Sequence, residues 1–485
     1  MKKNLFFVVL VIFVLILYYP SLFVFYTNDD FFHLKLAEVS DFSQFVNFFD
    51  FTKKPLNFGS YRPLTTQAFY FLGRYLFNLN PFYLHVLSFM VFFGILFLVF
   101  RLLVQIFNDE KTAQLGTFFY AVTPLHFGHL YFLGAFQELG LTFFFLISII
   151  NNIYFVRSNN IKYYSVALIS FILSLLSKET AIMFPIALFI TLVFMKYTKK
   201  INTSYLYIFR SLVVFFLITL IYLYFHFFHY GFAEGDSYTW DFSVIKTANS
   251  GLWYGLWTLG LPEMLLDFVG SGFKINPNLF KFWGKEMLLI FSALVGFLVI
   301  IFLSLWNAGK SKKDMSVIVQ ALFFSIAWFV ITLLPVLFLP QHKFTYSLTL
   351  PVIGVYGLIS CVVIKSKQDF LKYSAAGLFL ILAISTLDLT VKTHWITKGS
   401  ETAKRVYNYI DANKDYLMNK TIVFHDAPRD SELPWQPTQV LKQVLSDNNF
   451  FEVFYDEKIV AVYNNDVLLN NSNVVKIPAR EFLGY

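Results

Sequence analysis

Apolar runs of about twenty residues recur along the whole chain, and this limits the fold more than any single motif. A helix rises 1.5 Å per residue, so about 20 residues cross a hydrocarbon core roughly 30 Å thick. Eleven segments fit: 5–26, 82–107, 113–131, 137–156, 162–177, 179–195, 205–229, 286–306, 316–338, 346–364 and 372–390. Lipid offers backbone N–H and C=O groups no partner, so each segment must be helical. The expected fold is an all-α polytopic membrane protein with about 11 transmembrane helices. Only 14% of the residues are charged and 57% are hydrophobic, which excludes an ordinary soluble enzyme.

The first run follows Met-Lys-Lys, exceeds a signal-peptide core in length and lacks a small-residue cleavage pattern, so it reads as an uncleaved span with a cytoplasmic amino terminus. Basic residues then test the count, because a missing span would invert every later loop. The segments expected inside hold sixteen basic residues, among them Lys111, Arg157, Lys199, Lys200, Lys312 and Lys367, against four acidic ones. The net charge of +8 is thus topological and gives no reason to expect nucleic-acid binding. Cys361 is the sole cysteine and lies in an apolar run, so neither a disulfide framework nor a cysteine-based metal site is available.

Three parts are expected outside: loops 27–81 and 230–285, and everything after 390. Within the loops, the stretch 64–77 and the aromatic run 251–260 read as interfacial helices, the latter with Trp253, Tyr254 and Trp257 suited to the headgroup belt. The division is a transmembrane domain, 1–390, and a small soluble α/β domain, 391–485. In the latter, 400–417 and 436–447 read as helices, and 421–425, 450–455 and 458–463 as strands.

Five constellations fall on the expected outer face. In TNDDFFHL (27–34), either Asn28 or Asp29 caps the helix that follows and the acids favour its N-terminal dipole, or Asp29 and Asp30 supply a general base or metal ligand at the membrane surface. In YRPL (61–64), Tyr61 precedes Arg62, whose planar fork suits a phosphate oxyanion but equally a lipid headgroup. Lys178 and Glu179 occupy a turn with almost no loop, as an ion pair or as functional charges. His342, Lys343 and Tyr346 share one outer face, where Lys343 can bind phosphate as a point charge or the lysine and tyrosine simply anchor the chain. His126 and His129, three apart, can begin a metal site but more readily line a polar cavity, with Gln137 and Glu138 beyond the next turn. Their shared side, under a topology derived from other residues, places Asp29, Asp30, Arg62, Lys178, Lys343 and Glu138 around one cavity.

The order Asp29-Asp30, Tyr61-Arg62-Pro63-Leu64-Thr65-Thr66, Pro124 and His126, Ser177-Lys178-Glu179, then Lys343, Tyr346 and Pro351 resembles the GT-C superfamily of polytopic glycosyltransferases. It is most similar to the protein O-mannosyltransferase-like branch and its TPR-containing relatives. The likeness runs from about residue 1 to 390. Gly128 stands where relatives often carry an acid, and Lys343 where they carry arginine.

The resemblance implies transfer of a sugar from a polyprenyl-phosphate donor to an acceptor hydroxyl of a protein, glycolipid or glycan, at the extracytoplasmic face of a prokaryotic cell membrane. Asp29 or Asp30 would be the base of an inverting reaction. Arg62, Lys178 and Lys343 would hold the donor phosphate, with Glu179, His126, Glu138, Tyr346 and Tyr61 lining the cavity; a bridging divalent cation stays open. A multi-span transporter or lipid flippase is the rival. It would show internal repeats and broken helices near the midplane, and no repeat is visible here.

Overall fold

The computed structural model describes residues 3–52, 60–231, 238–433, 435–456, 458–464 and 473–484; parts of both long loops, 53–59 and 232–237, lie outside that set. Among the described residues, eight helices are long and apolar enough to cross a membrane: Asn4–Phe23, Pro81–Phe107, Leu133–Ser158, Glu179–Tyr197, Tyr205–Tyr230, Asn278–Ala308, Lys312–Leu337 and Asp369–Thr393. Two shorter apolar helices, Ile161–Leu175 and Val352–Lys365, and the helix Glu110–Val122 occupy the other three expected segments. The chain is a multi-pass, helical membrane protein.

Two of the tightest interhelical turns follow directly from their dipeptides. Asn108 and Asn159 close their helices in the left-handed conformation, at φ 53 and 54, which asparagine tolerates better than most residues. The next residue starts the following helix: Asp109 accepts from the Lys111 N–H at 3.1 Å, and Asn160 from the Lys162 N–H at 3.0 Å.

The expected third span, 113–131, is not one helix. Its 13-residue helix stops at Thr123, which is extended at φ −60, ψ 137, before the short turns Pro124–His126 and Phe127–Tyr131. Proline disfavours helical backbone in the residue before it, so the break sits where the sequence demands. All of 119–136 is buried, which places this broken stretch inside the protein, where irregular backbone at membrane depth can be satisfied.

Both interfacial expectations yield helices, but with inward faces. Pro63–Leu76 is helical with wide turns at both ends and buries Phe69 and Tyr70. Val244–Thr258 buries Trp253, Tyr254 and Trp257 rather than presenting them at a headgroup belt. The 253/254/257 spacing puts the three rings on one helical stripe, and that stripe faces the core.

After 390, the helix Trp395–Ala412 leads to a three-stranded parallel sheet. Its central strand, Thr421–His425, pairs with Val460–Tyr463 on one side and Val474–Pro478 on the other. The expected strand 450–455 is instead the helix Asn449–Tyr455. Parallel neighbours need a crossover, and this helix together with Pro437–Val444 provides it. Phe450 and Phe451 are completely buried, so the aromatic content that suggests a strand serves helix packing here. The apolar core is continuous from the membrane helices into this region, through Ile396, Val406, Phe424 and Phe450.

Candidate active site

The acid pair opens the short helix Asp29–Leu36. Neither Asn28 nor Asp29 caps it: Asn28 has no side-chain cap bond, and its Oδ1 accepts from the Thr27 hydroxyl at 2.7 Å. The two carboxylates differ sharply. Asp30 is 1% exposed and accepts from the Thr27 N–H at 2.9 Å and from the Tyr70 hydroxyl at 2.5 Å. Burial pushes its pKa up to about 7, although both hydrogen bonds work in the opposite direction. Asp29 has no side-chain hydrogen bond or ion pair among the described residues. It stays solvent-exposed while protein crowds it on most sides; that crowding raises its pKa, and the Arg62 charge acts against the rise. His33, one turn further and on the same helical face as Asp29, is driven down to about 3 by burial, with Arg62 adding to the effect.

The cations come from two loops pinned together. Leu64 N–H donates to Leu176 O at 3.2 Å, and the Thr65 hydroxyl to Ser177 O at 2.6 Å. This seats YRPL against the SKET turn. Arg62 forks onto Glu179, with Nε 2.7 Å from Oε2 and an Nη bonded to Oε1, and donates a further N–H to Gln137. Lys178 pairs with Glu138, which is 3% exposed, and its ammonium lies 5.9 Å from the Tyr346 ring centre. A guanidinium has five N–H donors and an ammonium three, so these contacts leave about two on each for an anion.

A cavity of about 170 Å³ opens on this cluster, lined by Ser60, Arg62, Lys178, Glu179, Tyr238 and His342 among others. Apolar side chains such as Leu223, Phe227, Val336 and Leu339 form much of the remaining wall. His342 stacks on Tyr238 at 4.5 Å, and burial followed by the Lys178 and Arg62 charges holds it near 4, so it is neutral at physiological pH. Asp29 acts electrostatically on Arg62, Tyr238 and Tyr346, which places it in the same neighbourhood.

The structure therefore brings Asp29, Arg62, Lys178, Glu179, Glu138 and Tyr346 together. Lys343 donates to Pro340 O at 2.6 Å, and neither it nor Asp29, Glu138 or Tyr346 is on the cavity wall that includes His342. Tyr61 stacks on Tyr230 at 4.8 Å, flanking the cluster. His126 and His129 are sealed. His126 Nδ1 is 3.0 Å from His129 Nε2, and its Nε2 faces Tyr120 O. A carbonyl accepts only, so His126 carries its proton on Nε2 and accepts from His129 on Nδ1. Among the described residues no group of three or more His, Cys, Asp or Glu is arranged to hold a metal ion. Gly128 has a packing reason: a Cβ there would come within 3.0 Å of Tyr346 Cβ, so this chain seats Tyr346 in the space another side chain would need.

Sequence reasoning missed Tyr70 and Thr27 as holders of Asp30, and Tyr238 as a wall residue. It also missed Glu263, whose carboxylate accepts from Thr345 N–H at 2.7 Å and its hydroxyl at 2.6 Å, and lies 3.3 Å from His394 Nε2. None of these carries a local pattern; only the acidic Glu263 in an aromatic loop was available as a signal.

Residues 61–224 match the family model of dolichyl-phosphate-mannose-protein mannosyltransferases. The matched stretch contains Tyr61, Arg62, His126, Glu138, Lys178 and Glu179, and ends before Tyr238 and Tyr346. No curated protein matches the chain. The match supports the GT-C resemblance and, in general terms, a membrane glycosyltransferase with a lipid-linked sugar donor and a glycosylation acceptor.

Proposed function

We propose that this protein transfers a sugar from a polyprenyl-phosphate donor to an acceptor hydroxyl at the extracytoplasmic face, with inversion and with Asp29 as the base. The observation that carries the assignment is the asymmetry of the pair. Asp30 has both oxygens engaged, whereas Asp29 is exposed, unbonded and in the field of Arg62.

The acceptor oxygen attacks the anomeric carbon from the side opposite the phosphate, and its proton passes to the Asp29 carboxylate. The bond from the anomeric carbon to the phosphate oxygen breaks, and the lipid phosphate leaves with the electron pair. Phosphate needs charge stabilisation more than a proton, and the remaining N–H groups of Arg62 and Lys178 are placed to supply it. Glu179 and Glu138 hold these cations in fixed orientations before the donor arrives. The protein crowding around Asp29 raises its pKa and so makes it a stronger base than a free carboxylate. The apolar part of the cavity wall suits the first isoprene units of such a donor.

Two parts of the reading, the domain division at about 390 and the extracytoplasmic orientation, come from the charge pattern of the sequence. The test is incubation of purified protein with a panel of polyprenyl-phosphate sugars, following release of lipid phosphate and the anomeric configuration of the product. Release with inversion for at least one donor is expected. Transport of lipid or solute in liposomes without any covalent transfer would overturn the proposal.

A further inference from the structure

We infer that the segment after 390 is a working part of the active centre, because it fixes the Thr27–Asp30 turn and so decides where the acid pair sits. This rests on the role given to Asp29 above. Four contacts converge on the turn and the helix it opens. The Asn28 N–H donates to Val444 O at 2.8 Å, and the Phe25 N–H to Ser400 Oγ at 2.8 Å. Phe31 packs edge-on against Phe450 at 5.2 Å, and Lys35 pairs with Glu452 at the far end of the helix.

A further approach is tighter than these four. A Cβ on Gly399 would lie 2.6 Å from Thr27 Oγ1 and 3.2 Å from Asn28 Oδ1, so only glycine lets the helix Trp395–Ala412 lie against the turn. The turn itself is unusual: Asn28 has φ 51 and ψ −120, outside the regions that side-chain-bearing residues favour. Such backbone persists only where the surroundings over-determine it. Here much of that surrounding structure comes from beyond residue 390. Since Thr27 N–H is also a donor to Asp30, a shift of the turn moves both carboxylates relative to Arg62.

Gly399, Ser400 and Val444 are positioning residues: they act through the turn and not on the sugar or the phosphate. In the full-length protein, Gly399→Ala is expected to lower kcat about 10- to 100-fold, since displacing a base by about 1 Å has effects of that size. The donor KM should stay near its original value, because Arg62 and Lys178 are held by other loops. Thr27→Ala removes the oxygen that the new methyl would meet, so Gly399→Ala/Thr27→Ala should recover much of the lost kcat. Ser400→Ala, a milder change that removes one hydrogen bond, should reduce kcat less and again spare KM; it serves if Gly399→Ala does not fold. Unaltered kcat in both Gly399→Ala and Ser400→Ala would overturn the inference. So would parallel loss of kcat and donor affinity without recovery in the double variant. Failure of the unsubstituted protein to turn over any donor would instead overturn the glycosyltransferase reading.

Discussion

Asp29-Asp30 and His126/His129 are both closely spaced titratable pairs, both lie near the same end of the helical bundle, and both suggest chemistry in the sequence. The structure treats them in opposite ways. In the acid pair, one member is satisfied by Thr27 and Tyr70, and the other is left with free lone pairs and access to solvent. In the histidine pair, the rings bond to each other, to Tyr120 O and to Thr349, and both are buried. A side chain whose donors and acceptors are all used within the protein has nothing left to offer a substrate. The lesson is that residue type and spacing nominate a site, while the partner of the second residue decides whether the first stays available.

The sharpest way to break this comparison is Asp29→Asn, which keeps the shape and removes the base. Loss of a general base costs about 10²- to 10⁴-fold, so kcat should fall by that order with folding intact. Retention of activity in Asp29→Asn together with its loss in Asp30→Asn would reverse the roles of the pair. The next largest effect is on stability. Arg62→Ala strands the Glu179 carboxylate, and breaking such a partly buried pair costs up to about 3–5 kcal/mol, with solvent access to both side chains reducing the figure. A lower melting temperature in detergent checks this, and Glu179→Gln added to Arg62→Ala should restore part of it.

Tyr70→Phe removes the charge-assisted bond to Asp30 and should cost about 1.5–3 kcal/mol. It also removes a contact that lowers the Asp30 pKa, so Asp30 should titrate higher still. The pH dependence follows with a definite sign. The folded pKa of Asp30 is raised to about 7 from an ordinary 3.8, so the folded state holds the proton more tightly than the unfolded one. Stability from this group is fully present below pH 3.8 and is lost as pH rises through 7. Thermal unfolding between pH 4 and 8 should show that decline in the unsubstituted protein and a flatter profile in Asp30→Asn. The smallest effect belongs to the sealed pair: Thr349→Val removes the hydroxyl's bonds to His129 and to Tyr346 O, costs about 1–2 kcal/mol and should leave transfer little changed. A large loss of transfer there would end the contrast between the two pairs.

Much of the fold was legible because lipid makes strict demands. Segment length, helical backbone and charge asymmetry are each dictated by the bilayer, and the structure supplies a helix for each expected segment. The broken third span was legible too, in Thr123-Pro124, but a hydropathy scan averages over it. Outside the membrane these constraints lapse. The stretch 450–455 has strand-like composition, yet it folds as a helix because the neighbouring strands are parallel and need a crossover. The edge strand Val474–Pro478 went unseen because its few apolar residues gain their meaning only beside Thr421–His425.

In the site, single residues divide the same way. Arg62, Lys178, Glu179 and Glu138 were readable because ionisable groups at the membrane are costly and stand out. Tyr70 and Tyr238 were not, since aromatic residues abound in this chain and nothing local distinguishes those at a cavity. Lys343 carries the right charge, and only the structure shows that one of its N–H groups is given to the Pro340 carbonyl.

What the sequence determined alone is the class of molecule: the number of apolar segments, the expected side of each loop and the residues whose charge needs an explanation. These depend on local composition and on a solvent that acts equally on every segment. Only the tertiary structure decided that Arg62 faces Glu179, that Lys178 faces Glu138, that Asp30 is tied while Asp29 is open, and that Gly399 lies against their turn. Those outcomes depend on distances between segments far apart in the chain, and no local pattern encodes them.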